Sequence, residues 1–274
     1  MTIATFADFK SRMTQLRPIY FRKISNNSGA GLTSSWIILA NAGAIPTSAA
    51  ACTNTTVGAL NFEDSVGQNS FDYRIVRTSY NVSASGMMII VADRLSHTGG
   101  LSGTVATTQT TNLPTAALTR YTSGEGVFIA LEIYTAIGTT ATTATCSYTN
   151  QAGTAGQTTK ARIIGSTSAN ASGSFLICPL QDGDTGVRSV ESVTLAASTV
   201  SAAGAFGVTL FKPLQMSHPT IAGLEGYGTN NYNSIVGGGS QMEPILPNSC
   251  LFVLMTGLVS TPAINGVINF MDAT

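Results

Sequence analysis

The chain has 274 residues, only 9% of them charged, against about 25% in an ordinary soluble domain; 13 basic residues meet 13 acidic ones, for a formal net charge of zero. A hydrophobic share of 43% excludes disorder through low hydrophobicity and high charge. The scarcity of ionisable groups removes most of the side chains a catalytic site would use. It leaves a neutral surface that does little to repel its own copies.

The charge is unevenly spread. Lys10, Arg12, Arg17, Arg22 and Lys23 face Asp8 alone in residues 1–23, a net +4 that the remaining residues balance with −4. Thr5 and Asp8 have the spacing of a capping box with Asp in place of Glu. Phe6, Phe9, Met13 and Leu16 recur at helical intervals until Pro18 ends the pattern. The pattern predicts an amphipathic arm of about three helical turns, packed on its own domain or on a neighbouring subunit. Its candidate contact residues for a partner surface or a second copy are Phe6, Phe9, Lys10, Arg12, Met13, Leu16, Arg17, Tyr20, Arg22 and Lys23.

Strands and turns follow. Trp36–Leu39 reads as a buried strand, and the Ala/Thr-rich stretch 41–58 as a loop. The run Met87–Ala92 is apolar; Asp93, Arg94 and His97 after it read as polar residues opening a loop, suited to a structural ion pair or turn hydrogen bonds. Val127, Ile129, Leu131 and Ile133 alternate with Phe128, Ala130, Glu132 and Tyr134, the period-two mark of a strand with one core face and one mixed face. Ala144, Cys146 and Tyr148 alternate with Thr143, Thr145 and Ser147, and the chain resumes through Lys160–Ile164 as a hairpin with a longer loop. Further strands are expected at Ser174–Cys178, Val190–Leu195, Phe206–Leu210, Leu251–Met255 and Val267–Phe270. Asp182-Gly183-Asp184, Ala203-Gly204 and Asn265-Gly266 read as the turns between them.

Many short strands rich in Thr and Val point to an all-β fold, an antiparallel β-sandwich or jelly roll with a short N-terminal amphipathic helix or arm. The expected organisation is an arm at 1–24, a core at 25–214, an extended loop at 215–247 and C-terminal strands at 248–274 completing the core. Cys52, Cys146, Cys178 and Cys250 lack zinc-site spacing and read as reduced, buried thiols. No apolar run approaches the ~18–20 residues that span a bilayer, so no membrane role is expected.

Five blocks carry a family resemblance: Ala92–Leu101 (ADRLSHTGGL), Leu131–Tyr134 (LEIY), Ser147–Gly156 (SYTNQAGTAG), Leu180–Val190 (LQDGDTGVRSV) and Phe206–Leu210 (FGVTL). In this order they resemble structural proteins of tailed bacteriophages and related prophages. The resemblance covers roughly residues 71–212 and leaves 1–70 and 215–274 outside it. It implies a virion protein associated with the head, and it brings no catalytic residues.

Other chemistries fare poorly. Asp93, Ser96 and His97 offer a weak triad, without a nucleophile elbow. Asp182, Asp184 and Gly186 begin like a calcium loop, but Val187 and Val193 stand where an EF-hand needs Gly and Glu. Gly237–Gly239 lacks the Lys-Ser/Thr of a P-loop. Glu125 and Glu132 read as isolated, with no acid/base partner.

The expected function is therefore a non-enzymatic decoration or cement protein on a phage head. Its expected partners are the phage capsid protein and copies of itself, a homo-oligomer with a trimer favoured. No cofactor, metal or specific nucleic acid is expected; the place of synthesis is the host bacterial cytoplasm. The alternative is a tail, baseplate or fibre module binding host glycans through Tyr227, Asn230, Asn231 and Tyr232.

Overall fold

A computed structural model describes residues 6–23, 36–38, 48–56, 58–60, 73–82, 89–166, 171–217, 225–229, 244–256 and 264–272. The chain begins with helix α1 (Phe6–Arg12), a 3-10 turn (Met13–Gln15) and strand β1 (Arg17–Lys23). Next come β2 (Trp36–Ile38), β3 (Ala50–Ala51), β4 (Tyr73–Val82), β5 (Ile89–Leu101), β6 (Gln109–Thr110) and a second 3-10 turn (Leu113–Thr115). The middle of the chain holds β7 (Phe128–Thr135), β8 (Thr142–Asn150), β9 (Gln157–Thr158), β10 (Arg162–Ile164) and β11 (Ser174–Cys178). The last strands are β12 (Val187–Leu195), β13 (Ala205–Ser217), β14 (Glu225–Thr229), β15 (Pro244–Ile245), β16 (Cys250–Thr256) and β17 (Ile264–Asp272). All their pairings are antiparallel.

The all-β architecture expected from the sequence is the one observed, in three sheets among the described residues. The central sheet runs β13-β7-β11-β2-β16-β5-β3, and β13 also pairs with β5, so six of its strands close into a ring. Closure removes the exposed edges an open sheet would carry. One flanking sheet has the order β1-β17-β4-β14, with β15 added on β4; the other has β10-β8-β12-β6, with β9 added on β8.

Among the described residues three apolar cores follow from this layering. Ile129, Leu131 and Ile133 of β7, with Val208 and Leu210 of β13, pack on Ala144, Cys146 and Tyr148 of β8 and Val190 and Val193 of β12. On the other side, Val91 of β5 and Leu251, Val253 and Met255 of β16 pack on Phe21, Ile75, Ile268 and Phe270 of the first flanking sheet. The third core fills the ring: Ile90, Ala92, Ala130, Phe175, Phe211, Phe252 and Leu254. Phe211 meets Phe175 at 5.1 Å and Phe252 at 6.3 Å between centroids, both edge-on, the arrangement the ring quadrupoles favour.

This explains β7. Its apolar residues form one sandwich core, while the mixed face, with Ala130 and Glu132, lines the ring interior. Both faces are covered, and Ile129, Ala130, Leu131, Glu132 and Ile133 are all buried.

Several stretches depart from the sequence expectation. Arg17–Lys23 is a strand paired along β17, so the helical part of the arm stops at Gln15. Pro18 sits in that strand at the edge of its sheet, where a missing donor is tolerated. Asn265-Gly266, expected as a turn, lies inside β17. A Cβ on Gly266 would come within 2.6 Å of the Phe21 ring and of the Ser79 carbonyl, so this glycine serves a close approach. The stretch 215–247 carries the end of β13, then β14 and β15; residues 230–243 lie outside the described residues.

The Asp182–Asp184 turn is as expected, with Gly183 at φ 93°. Asp184 accepts hydrogen bonds from the Tyr148 hydroxyl and, at 2.8 Å, from Asn150 Nδ2. Among the described residues no helix is long and apolar enough to cross a membrane.

Candidate functional site

The arm residues split between a helix and a strand. Phe6 is 61% exposed and Met13 36%; Lys10 is exposed, Arg12 and Leu16 half-buried. In β1 the period-two geometry turns Phe21 into the core and leaves Tyr20 77% exposed. Arg17 and Arg22 are also exposed, and the Arg17 guanidinium lies 5.7 Å from the Tyr73 ring centroid. Phe9 lies in α1, and Lys23 ends β1.

The antiparallel register extends this edge into a face. Tyr20 stands opposite Val267, which stands opposite Ser79; Arg22 stands opposite Asn265, which stands opposite Asn81. These six residues line an open groove of about 550 Å³. In the next ladder Tyr227 pairs with Ser79 and Glu225 with Asn81. The fold thus brings one residue of the expected glycan set to the same rungs as the arm, a relation invisible in a sequence that separates them by two hundred positions. Asn230, Asn231 and Tyr232 lie outside the described residues.

The densest polar chemistry is buried. Asp93, Arg94 and His97 lie within β5, which continues to Leu101 where the sequence predicted a loop. Asp93 accepts from Arg120 Nε and Nη2 at 2.8 and 2.9 Å, from Ser249 Oγ at 2.8 Å and from the Cys250 amide at 2.8 Å. Arg120 Nη2 also donates to the carbonyls of Cys52 (2.9 Å) and Arg94 (3.1 Å). One bidentate pair therefore ties β5, the loop before β7, the start of β16 and the segment after β3. Burial pushes the Asp93 carboxyl up, and Arg120, Ser249 and the Cys250 amide oppose that.

Arg94 continues the alternation of Ile90 and Ala92 into the ring. Its guanidinium lies 5.6 Å from the Phe252 ring centroid and is salt-bridged to Glu132 of β7. Glu132 also accepts from Thr209 Oγ1 at 2.7 Å and from the Tyr134 hydroxyl at 3.4 Å. Burial, the largest single effect, would lower the Arg94 value, but the charge and hydrogen bond of Glu132 together with Tyr134 and Cys52 turn the net shift upward and hold the guanidinium charged. Glu132 is therefore paired, and Glu125 accepts from Thr185 Oγ1 at 2.8 Å; the expectation that both are isolated does not hold. Their partners come from other strands and loops, which sequence spacing does not reveal.

His97 Nδ1 lies 3.2 Å from the Tyr134 hydroxyl, while the Asp93 carboxylate is taken up by Arg120, Ser249 and Cys250. Asp93 and His97 thus sit in structural polar networks, and the buried Ser96 hydroxyl makes no hydrogen bond to any described residue. Burial first, and then Arg94, lowers the His97 imidazole to about 4. Among the described residues no three His, Cys, Asp or Glu side chains gather as a metal site would require.

No protein-family model matches the sequence, and no curated protein matches it. Among solved structures, the chain is similar over 94% of its length to the VP2 subviral particle of infectious bursal disease virus, at 12% identity, with 80% of that chain covered and a TM-score of 0.19. The structure of the Gt strain of the same virus gives 11% identity, coverage of 94% and 79%, and a TM-score of 0.21. Similarity at this level carries no inference about fold or function.

Proposed function

We propose that the chain is a non-enzymatic structural protein of a virus particle, a decoration or cement subunit on the head of a tailed phage. In this proposal it acts as a homo-oligomer, a trimer in the first instance, bound to the capsid protein. The ordered blocks resembling phage structural proteins support it, as does a composition with few catalytic side chains.

The observation that carries the reading is the N-terminal edge. A helix with Phe6 and Met13 exposed runs into an edge strand whose exposed residues include Arg17, Tyr20 and Arg22. An edge strand offers backbone donors and acceptors to a partner, and its cations fit an acidic shell.

Because Phe21 belongs to the core, deleting residues 1–23 would damage the fold. The cleaner variant is Lys10→Glu with Arg22→Glu, both exposed. Co-sedimentation with purified head shells should show at least a tenfold loss of binding, about 1.4 kcal/mol, with an unchanged unfolding midpoint. Undiminished binding would remove the arm from the interface. Immunogold labelling of intact particles then separates a head position from a tail or fibre one.

The second reading, a tail, baseplate or fibre module for host glycans, draws on the open groove. A solvent-facing Tyr20 ring can stack on a pyranose, with Arg22, Asn81 and Asn265 beside it to hydrogen-bond hydroxyls. Titration with neutral host-wall oligosaccharides should give saturable binding that Tyr20→Ala abolishes; no heat or shift with any of them rules it out.

A further inference from the structure

The four cysteines, far apart in sequence, meet as two pairs. Four cysteines allow three pairings, and the fold selects one. Cys250 opens β16 opposite Arg94 of β5. The Cys52 amide donates to the carbonyl of Leu95, the next residue of β5, at 2.8 Å. β3 and β16 thus lie end to end along the same side of β5, because β13 occupies the other side. The two thiols come together at that join, close enough for each to perturb the other.

The second pair bridges two sheets. Cys146 lies in β8 and Cys178 ends β11. The Thr159 amide donates to the Cys146 carbonyl at 3.0 Å, and the Lys160 amide to the carbonyl of Pro179 at 2.9 Å, which draws the two strands together. Their thiols are neighbours within the core between the central sheet and the β8 sheet. All four cysteines are free and buried.

We propose that Cys52–Cys250 and Cys146–Cys178 are two latent cross-links that a small-molecule disulfide closes within the native fold. In each closure one protein thiolate attacks the reagent and releases a thiol. The neighbouring thiol, deprotonated, then displaces the second reagent sulfur. Two protein S–H bonds are lost, one protein S–S bond forms, and the reagent disulfide is reduced to two thiols.

The Cys52–Cys250 pair closes first, on geometry. Cys52 lies just past the two-residue β3, held by its amide hydrogen bond to Leu95 and by the Arg120 bond to its carbonyl, so opening one short segment suffices to admit the reagent. Cys146 and Cys178 lie under two full sheets. The chemistry runs the same way: the neighbouring Cys52 thiol, aided by Arg94 and Arg120, holds Cys250 below the ordinary thiol value, whereas Cys146 is pushed up by the neighbouring Cys178 and by burial.

A chain made in a reducing compartment would gain two covalent staples on reaching an oxidising one. That consequence rests on the proposed particle role; the cross-linking does not.

The test incubates the full chain with oxidised glutathione just below its unfolding temperature. Remaining thiols are blocked in acid, and peptides are mapped by mass spectrometry without reduction. The expected result is loss of four hydrogens per chain, with Cys52–Cys250 peptides appearing before Cys146–Cys178 peptides and a raised unfolding temperature. Cys52→Ser should leave Cys250 free and the other link intact. Any other pairing, bonds between chains, or four thiols still blockable after unfolding would overturn the proposal. Intact mapping alongside an absence of label on particles would leave the cross-links standing and sink the particle role alone.

Discussion

Replacing Arg94 by methionine should lower the stability of the folded chain by about 3–5 kcal/mol, the usual cost of stranding one member of a buried ion pair. Arg94 and Glu132 are 3% and 1% exposed, inside a ring otherwise filled by Phe175, Phe211, Phe252 and aliphatic side chains. Methionine replaces the stem of the arginine but not its charge, so Glu132 keeps only Thr209 and Tyr134 as partners. The pair itself contributes little net stability, since desolvating two charges consumes most of their attraction. The double variant Arg94→Met with Glu132→Gln should therefore recover more than half of the loss, because the amide oxygen still accepts from Thr209 and Tyr134. Urea unfolding of wild type, single and double variants measures this directly. A loss under ~1 kcal/mol in the single variant would mean that the interior is wetter than the geometry implies.

That cluster also marks where the sequence stopped being legible. β8 could be read at once, because Ala144, Cys146 and Tyr148 face a core while Thr143, Thr145 and Ser147 face half-buried surroundings. β11 was bounded at Ser174 and Cys178 by its apolar run. β5 was cut short because Asp93, Arg94 and His97 look like solvent-seeking residues. Polarity along a chain signals exposure only when no distant partner compensates it, and here Arg120, Glu132 and Tyr134 do.

The arm shows the converse limit. Phe6, Phe9, Met13 and Leu16 carry a helical spacing, and nothing local announces that Arg17–Lys23 will pair with a strand at the far end of the chain. The same non-local pairing assembles the groove, whose residues come from β1, β4 and β17. Site chemistry built across a ladder is set by register, and register is fixed by which face each strand buries. Tyr20 and Arg22 were identified as surface residues; their neighbours Asn81 and Asn265 were not, because the Asn-Gly pair at 265–266 carries the usual signature of a turn.

Acid should weaken the fold through His97. The imidazole is 5% exposed, and burial and Arg94 lower it from 6.5 to about 4. Unfolded, it takes up its proton near 6.5, whereas folded it resists protonation until about 4. Between these values the unfolded chain binds more protons, so stability falls as pH falls through the window and is fully present above it. The size follows from ~1.4 kcal/mol per unit, giving roughly 3 kcal/mol over the whole interval. Burial sets the sign, and three charged or polar groups face the ring. Arg94 repels the imidazolium, the Glu132 carboxylate, engaged by Arg94, opposes the shift only in part, and the Tyr134 hydroxyl at 3.2 Å serves the neutral ring. His97→Gln keeps a hydrogen-bonding group toward Tyr134 but removes the titration. The stability difference between wild type and this variant, measured by urea unfolding at a series of pH values, should shift by roughly 3 kcal/mol in the variant's favour between neutral pH and pH 4. Every other titrating group, His218 and the carboxylates included, acts on both proteins and cancels in that difference. Parallel profiles would show that the imidazole is hydrated in the folded state, and the buried network would then have to open at the Tyr134 end of the ring.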